Sequence, residues 1–447
     1  MASIKKLAIQ GTLWTILGYG GSQVLRFASS LILTRLLFPE FFGLMGIVNI
    51  FIVGLALFSD VGIGFNIIQN KRGDDPNFYN TAWTIQVIRG FGLWLACLVI
   101  AFPISKLYNQ TSLIWLIPVV GLTTIFSGFS STALFSLERH LNLRKQVMIE
   151  MGSQIIGLLT TLIWALLNPT IWALAAGGLV SGVTKMLWSH HLLPEIKNRF
   201  LWDKKSVKEI FSVGRWVFIS TATFFIAEQS DRFMLGVMFP LGLFGIYQIT
   251  LTLSDVPRQM LQALGAKVMF PAISKIIDQP QDVITAKVLN NRRLLLVPAS
   301  LMISFLVGFG DIIMQVLYDQ RYSSEAWMLP TLALGLWPRL LANTSEPYLL
   351  SIGKFQYTAY GNFLRLLSTV IGILIGFHYF QVPGAIFAVA LNDLFYYLAV
   401  TYGLFNEGLN SIPQDITITV ILLTTILVIL LIRNLLGLGL PILITSI

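Results

Sequence analysis

Charge is what this sequence has least of. Only 11% of its 447 residues are charged, while 55% are hydrophobic; soluble domains carry roughly a quarter charged residues. Such a chain cannot keep a globular surface wet, so a soluble domain is excluded. Cysteine is scarcer still. Cys97 stands alone, which rules out an intrachain disulfide and a thiolate–metal cluster. His190 and His191 are adjacent, and neighbouring helical residues point about 100° apart. With no carboxylate trio nearby, they read as an interfacial pair and no metal site is expected. A phosphate-binding GxxxxGK[ST] loop is missing too: "IGKFQ" (352–356) lacks the first glycine and the hydroxyl, which argues against ATP hydrolysis.

What recurs instead is the long apolar run. Runs of about 20 residues, enough to cross a bilayer as a helix, repeat along the whole chain. Strands of alternating polarity, which a membrane barrel needs, do not. The fold class is therefore an all-α polytopic membrane protein. Candidate spans lie at 11–36, 41–69, 78–105, 111–136, 147–167, 171–192, 211–239, 241–270, 292–317, 326–352, 356–380, 383–405 and 415–433. The runs at 41–69 and 241–270 are long enough to hide a kink. The remainder, 434–447, is short for a fourteenth crossing. Lys5 and Lys6 precede a first run that holds Arg26 and lacks a small-residue cleavage site, so it reads as a retained helix.

Lysine and arginine gather in alternate connections. Lys5, Lys6, Lys71, Arg72, Arg139, Arg144, Lys145, Lys197, Arg199, Lys204, Lys205, Lys208, Lys275, Lys287, Arg292, Arg293 and Lys354 fall on one side, and only Arg35, Lys106, Arg321 and Arg433 on the other. This bias predicts a cytoplasmic N-terminus. It also accounts for most of the +9 net charge without nucleic acid, which is not an expected partner; anionic membrane lipids are. The longest polar connections, "LPEIKNRFLWDKKSVKE" (193–209) and 272–293, are too small for a soluble catalytic domain. The first divides the chain into an N-lobe (1–200) and a C-lobe (201–410), followed by one or two extra C-terminal helices (411–447). "LLFPEFFGLMGI" (36–47) and "VMFPLGLFGIYQI" (237–249) echo each other, as do "LFSDVG" (57–62) and "LSDVPR" (253–258). They suggest a duplicated six-helix unit whose copies are related by an axis along the membrane normal.

Charges inside the spans are costly, at about 2.5–3.5 kcal/mol each at mid-bilayer, so each needs a partner or a wet cavity. Glu228 and Arg232, four apart, and Asp255 and Arg258, three apart, have the spacing of helical ion pairs. Asp231 has no obvious local partner. Arg26 falls on a polar stripe with Thr15, Tyr19, Ser22, Ser29 and Ser30, and Arg365 lies among Thr358, Gly361, Asn362, Ser368, Thr369 and Gly372. Such stripes either line a cavity or glue helices together. Arg89, Lys185 and Arg339 are further intramembrane cations. Asp60, Asp231 and Asp393 are candidate sites for a coupling proton or sodium ion, with no other cofactor expected. Pro118, Pro257, Pro298 and Pro338 mark candidate kinks.

Three segments resemble the polysaccharide transporter family, the Wzx-type flippases of the multidrug/oligosaccharidyl-lipid/polysaccharide exporter superfamily. They are "LTRLLFPEFFGLMGI" (33–47), "FSDVGIGFNIIQ" (58–69) and "SDRFMLGVMFPLGLFGIY" (230–247). The resemblance implies twelve to fourteen helices in two lobes. It implies movement of an undecaprenyl-diphosphate-linked oligosaccharide across the bacterial plasma membrane by alternating access, alongside polymerase and glycosyltransferase machinery. Arg26 matches the family's first-helix cavity cation. Arg26 and Arg365, with Arg89, Arg339 and Lys185, are the expected contacts to diphosphate and glycan, because a guanidinium fork suits phosphate. The abbreviated C-terminus departs from the family pattern. Two other readings compete: a cation-coupled multidrug antiporter on the same scaffold, and a membrane-embedded glycan polymerase or ligase. The second needs a larger outer loop than "YDQRYSSEA" (318–326).

Overall fold

The computed structural model describes residues 4–140, 142–191, 197–264, 280–318 and 320–441. Every extended regular element among them is helical. The expected span tail at 265–270 and the final residues 442–447 lie outside the described residues.

The first unit, Met1–Phe225, begins with α1 (Ile4–Leu36) and α2 (Pro39–Phe58). Pro39 opens α2 at a position where its missing N–H costs nothing. The suspected kink in 41–69 is a true break. After Ser59 the chain passes through Gly62 in the left-handed region (φ 64°) and restarts as α3 (Ile63–Gln69). α4 (Pro76–Leu107) is capped by Asp75, whose carboxylate accepts the Asn77 N–H at 2.9 Å. α5 (Leu113–Phe129) and α6 (Ala133–Arg139) are bent by 59° across a short break. α7 (Leu143–Leu167) and α8 (Ile171–His191) complete the unit with the first part of α9 (Lys204–Met238). Residues 197–203 are not a free loop. The amides of Arg199, Leu201 and Asp203 donate to Asn80 Oδ1, Thr84 Oγ1 and Thr81 Oγ1 of α4 at 2.8, 3.0 and 3.1 Å.

The second unit, Ile226–Ile447, holds the rest of α9, α10 (Leu241–Ser254), α11 (Val256–Leu264), α12 (Gln281–Leu317), α13 (Met328–Gly335), α14 (Trp337–Asn343), α15 (Glu346–Ser351), α16 (Phe355–Asn406) and α17 (Ile412–Leu435). The expected single spans 241–270 and 326–352 are broken into α10–α11 and α13–α15. Pro257 and Pro338 stand at the start of a restarted helix, while Pro118 and Pro298 are accommodated within α5 and α12. α16 is two limbs joined at Gln381, which has φ 52° and ψ −137°, matching the two spans read at 356–380 and 383–405. The limbs fold back closely: a Cβ on Gly384 would lie 2.0 Å from the Gly376 carbonyl oxygen. Only glycine lets them approach so far.

Seven helices among the described residues are long and apolar enough to cross a membrane, or eight where the bent α5–α6 pair is counted as one span. α16 counts once there despite its two limbs. The protein is an all-helical, multi-pass membrane protein.

Two charges far apart in sequence lock α17 in place. Arg292 of α12 is fully buried and donates to Asp415 Oδ1 at 2.7 Å, Gln414 Oε1 at 3.0 Å and the Leu341 carbonyl at 3.1 Å. Arg433, also fully buried, grips both oxygens of Asp311 at 2.7 and 2.8 Å. The sequence reading leaves Arg292 at a loop edge. In the structure α12 begins at Gln281 and carries it inward.

Candidate functional site

The second unit collects its charges in one place, using the helix breaks to do so. α9 supplies Glu228, Asp231 and Arg232; the α10–α11 break supplies Asp255 and Arg258; α14 supplies Arg339; and the two limbs of α16 supply Arg365 and Asp393. Glu228 is the hub. Its Oε1 accepts from Arg258 Nη1 and its Oε2 from Arg365 Nη1, each at 2.6 Å. Arg258 also grips Asp255, with Nη2 to Oδ2 at 3.0 Å and a second contact from Nε to Oδ1. Arg365 Nε lies 2.9 Å from Asp393 Oδ1, and Arg339 Nη1 lies 3.9 Å from the same oxygen. The Arg339 guanidinium lies over the Tyr396 ring, 3.8 Å from its centroid. The free space among these groups is about 50 Å³, room for water and not for a sugar.

This geometry corrects two expectations. Glu228 does not pair with Arg232. Two arginines from other helices take its two oxygens, while Arg232 Nη1 donates to Gln229 Oε1 at 2.7 Å. Asp231 does have a partner, for Tyr247 of α10 donates its hydroxyl to Asp231 Oδ2. The Asp255–Arg258 pair forms as its spacing predicts.

The first unit holds a different kind of site. A cleft of about 550 Å³ opens between the two helix breaks, lined by Asp60, Gln86, Arg89, Glu138, Gln146 and Lys185 among others. Arg89 donates from Nε to Ser59 Oγ at 2.9 Å and from Nη2 to the Ala56 carbonyl. It thereby closes the C-terminal end of α2, where carbonyls lack helical partners. One turn earlier on α4, Gln86 Nε2 donates to the carbonyls of Ser127, Gly128 and Ser130 at 2.9, 3.1 and 3.1 Å, serving the end of α5. Asp60 Oδ1 accepts the Gly62 N–H at 2.9 Å. Gln146 donates to Glu138 Oε1 at 2.5 Å and Glu150 Oε1 at 3.4 Å, and Lys185 Nζ lies 3.5 Å from Glu150 Oε1.

Arg26 is exposed on α1, its Nη2 3.4 Å from Ser22 Oγ; Ser22 in turn donates to Gln154 Oε1 of α7 at 2.6 Å. The side chains of Thr15 and Tyr19 lie outside the described residues. Thus Glu228, Arg339, Arg365 and Asp393 come together, with Asp231 and Arg232 beside them, while Asp60, Arg89 and Lys185 line the first unit's cleft. His190 Nε2 contacts the Phe129 carbonyl at 2.8 Å and its ring packs edge-on to Trp83. Sequence reasoning missed the part Arg258 plays at the hub, and it missed Gln86 and Tyr247. Tyr247 was at hand as the last residue of the third resembling segment; Gln86 gave no signal.

Residues 32–326 match the family described as "Polysaccharide biosynthesis protein". The succinoglycan biosynthesis transport protein ExoT of Rhizobium meliloti is 22% identical over 366 residues, 81% of this chain and 73% of that one. The lipopolysaccharide biosynthesis protein WzxC of Escherichia coli is 22% identical over 385 residues, 83% of this chain and 76% of that one. Among solved structures, the lipid II flippase MurJ in an inward closed conformation superposes with a TM-score of 0.71 at 14% identity, covering 94% of this chain and 92% of that one. An inward-facing multidrug transporter of the MATE family gives 0.70 at 13%, covering 86% and 93%. At such identities the structural likeness speaks for the fold alone. The sequence resemblance and the topology converge: this chain belongs to the polysaccharide biosynthesis protein family and carries the fold of the multidrug/oligosaccharidyl-lipid/polysaccharide exporter superfamily.

Proposed function

We propose that the protein is a flippase that carries an undecaprenyl-diphosphate-linked oligosaccharide across the bacterial plasma membrane by alternating access. It would serve surface or exopolysaccharide synthesis, with its N-terminus in the cytoplasm and with polymerase and glycosyltransferase machinery as working partners. It is a transporter and not an enzyme, in keeping with the transport role that the name of its relative ExoT states. The observation that carries this reading is the Glu228 hub. Two guanidinium groups, Arg258 and Arg365, are held on one carboxylate at 2.6 Å each. A diphosphate offers the same geometry with more oxygens and more charge, and arginine forks bind it bidentately. The substrate competes with Glu228 for the two arginines, and Arg339, beside Asp393, is the next cation in reach. Asp393, Asp231 and the displaced Glu228 are then the acids placed to take a coupling proton or sodium ion. Arg26, exposed on α1 of the first unit, is a further candidate contact for the cargo.

The test is complementation of a flippase-null strain by variants expressed at the normal level. Arg365→Ala lowers export of lipid-linked glycan by at least about tenfold, the equivalent of some 1.4 kcal/mol of lost interaction, and Arg26→Ala lowers it too. Full complementation by both would remove the site assignment. A multidrug antiporter would instead protect cells against cationic dyes and leave surface polysaccharide unchanged.

A further inference from the structure

The first unit's cleft is not needed to hold a diphosphate, and its chemistry is wrong for one. Of its charged lining groups, three are acids (Asp60, Glu138 and Glu150) and two are bases (Arg89 and Lys185). Arg89 is committed to the end of α2, and Lys185 faces Glu150. What remains is a wall of carboxylates and amides with the hydroxyls of Thr123, Ser127 and Ser130, and the rings of Phe65 and Phe135. Carboxylates accept from a sugar's vicinal hydroxyls and amides both accept from them and donate to them, while an aromatic ring covers a sugar's C–H face. Its volume of about 550 Å³ falls within the range of roughly 300–1,000 Å³ usual for ligand sites.

We infer that this cleft is a glycan subsite that takes an uncharged or amino-bearing sugar of the cargo and rejects a uronic acid. The inference rests on the flippase reading and adds a substrate class to it. Glu138 and Glu150, bridged by Gln146, set the discrimination: Lys185 offsets Glu150 from one side, so an added carboxylate meets a wall that is still net acidic, led by Glu138, whereas an ammonium finds a partner there. Asp60 holds the break at Gly62 and keeps that corner of the cleft in shape.

The chain's single thiol, Cys97, is buried, so an introduced cysteine reports alone. Gly182 of α8 lines the cleft, and a Cβ there meets only Phe126 and Thr123 at ordinary contact distances, 3.4 Å and beyond. In full-length Gly182→Cys protein in nanodiscs, thiol labelling by a maleimide is followed with maltotriose, chitotriose, a chitosan trimer or trigalacturonate added. A ligand at three times its Kd leaves about a quarter of sites open, so the neutral and amino trimers slow labelling about fourfold. Trigalacturonate does not, and Lys205→Cys, outside the cleft, is labelled at one rate throughout. In the Gly182→Cys background, Glu138→Gln with Glu150→Gln lets trigalacturonate protect.

The inference fails if no trimer slows labelling, if trigalacturonate protects the parent as well as maltotriose, or if Lys205→Cys is slowed equally. It also fails if undecaprenyl diphosphate without sugar gives the same protection. Any of these results leaves the Arg365 complementation test, and with it the flippase reading, standing on its own.

Discussion

The two units handle polarity within an apolar chain in opposite ways. The second compresses it: Glu228, Arg258, Arg365 and Asp393 contact one another directly, around about 50 Å³ of free space. The first spreads it: side chains of α4 serve the carbonyls of two broken helices, and the remaining polar groups line about 550 Å³ of cleft. A buried ion pair loses much when one member goes, because the other charge is left dry. A cleft-lining side chain loses little, since water replaces it. The difference separates groups whose loss also costs stability from groups whose loss costs little besides binding.

That contrast can be pressed at four points. Glu228→Ala takes one of two acids from each of two buried arginines, leaving Arg258 to Asp255 and Arg365 to Asp393, and should cost about 3 kcal/mol, seen as a fall in thermal stability of the detergent-solubilised protein. Glu150→Gln in the cleft should stay within about 0.5 kcal/mol of the parent. Equal losses from these two would erase the distinction. Gln86→Leu is the exception among the cleft-lining groups, because it removes the side chain that ties the carbonyls at the end of α5 together, and it should cost about 0.5–1.5 kcal/mol. An unchanged melting temperature would show that the break does not depend on it.

The smallest effect lies in the polar connection between α3 and α4. Arg72 donates to the Asp75 carboxylate at 2.7 Å, and this hydrogen bond, joined by the Asn77 N–H, holds the Asp75 carboxyl below the usual aspartate range. A group lowered in the folded state adds stability above its unfolded pKa and loses it as pH falls through the folded one. Melting temperatures of the parent and Asp75→Asn should therefore differ slightly at pH 7 and converge as pH drops toward 3. A gap that widens on acidification would reverse the assignment.

Most of the helical map was legible because apolar length is a local property. The two limbs of α16, the break hidden in 41–69 and the Asp255–Arg258 pair all follow from residues close in sequence. Pairing across helices was not legible. Glu228 had a plausible neighbour in Arg232, and nothing local says that Arg365, 137 positions away, competes better. Gln86 is illegible for a different reason: its role is set by where two other helices end. Asp60 read as a lone acid because its partner is a backbone amide, which no side-chain pattern reveals.

The segment 197–203 carries a consequence of its own. An extended stretch whose amides are bound by Asn80, Thr81 and Thr84 is a strut, not slack tether. Bending the chain there means breaking those three bonds together, and Asp203 carries the hold into α9, its carboxylate accepting from the Ser206 amide and hydroxyl. Lengthening the chain upstream of residue 197 would therefore leave the entry to α9 undisturbed, whereas replacing Thr81 with valine would loosen it.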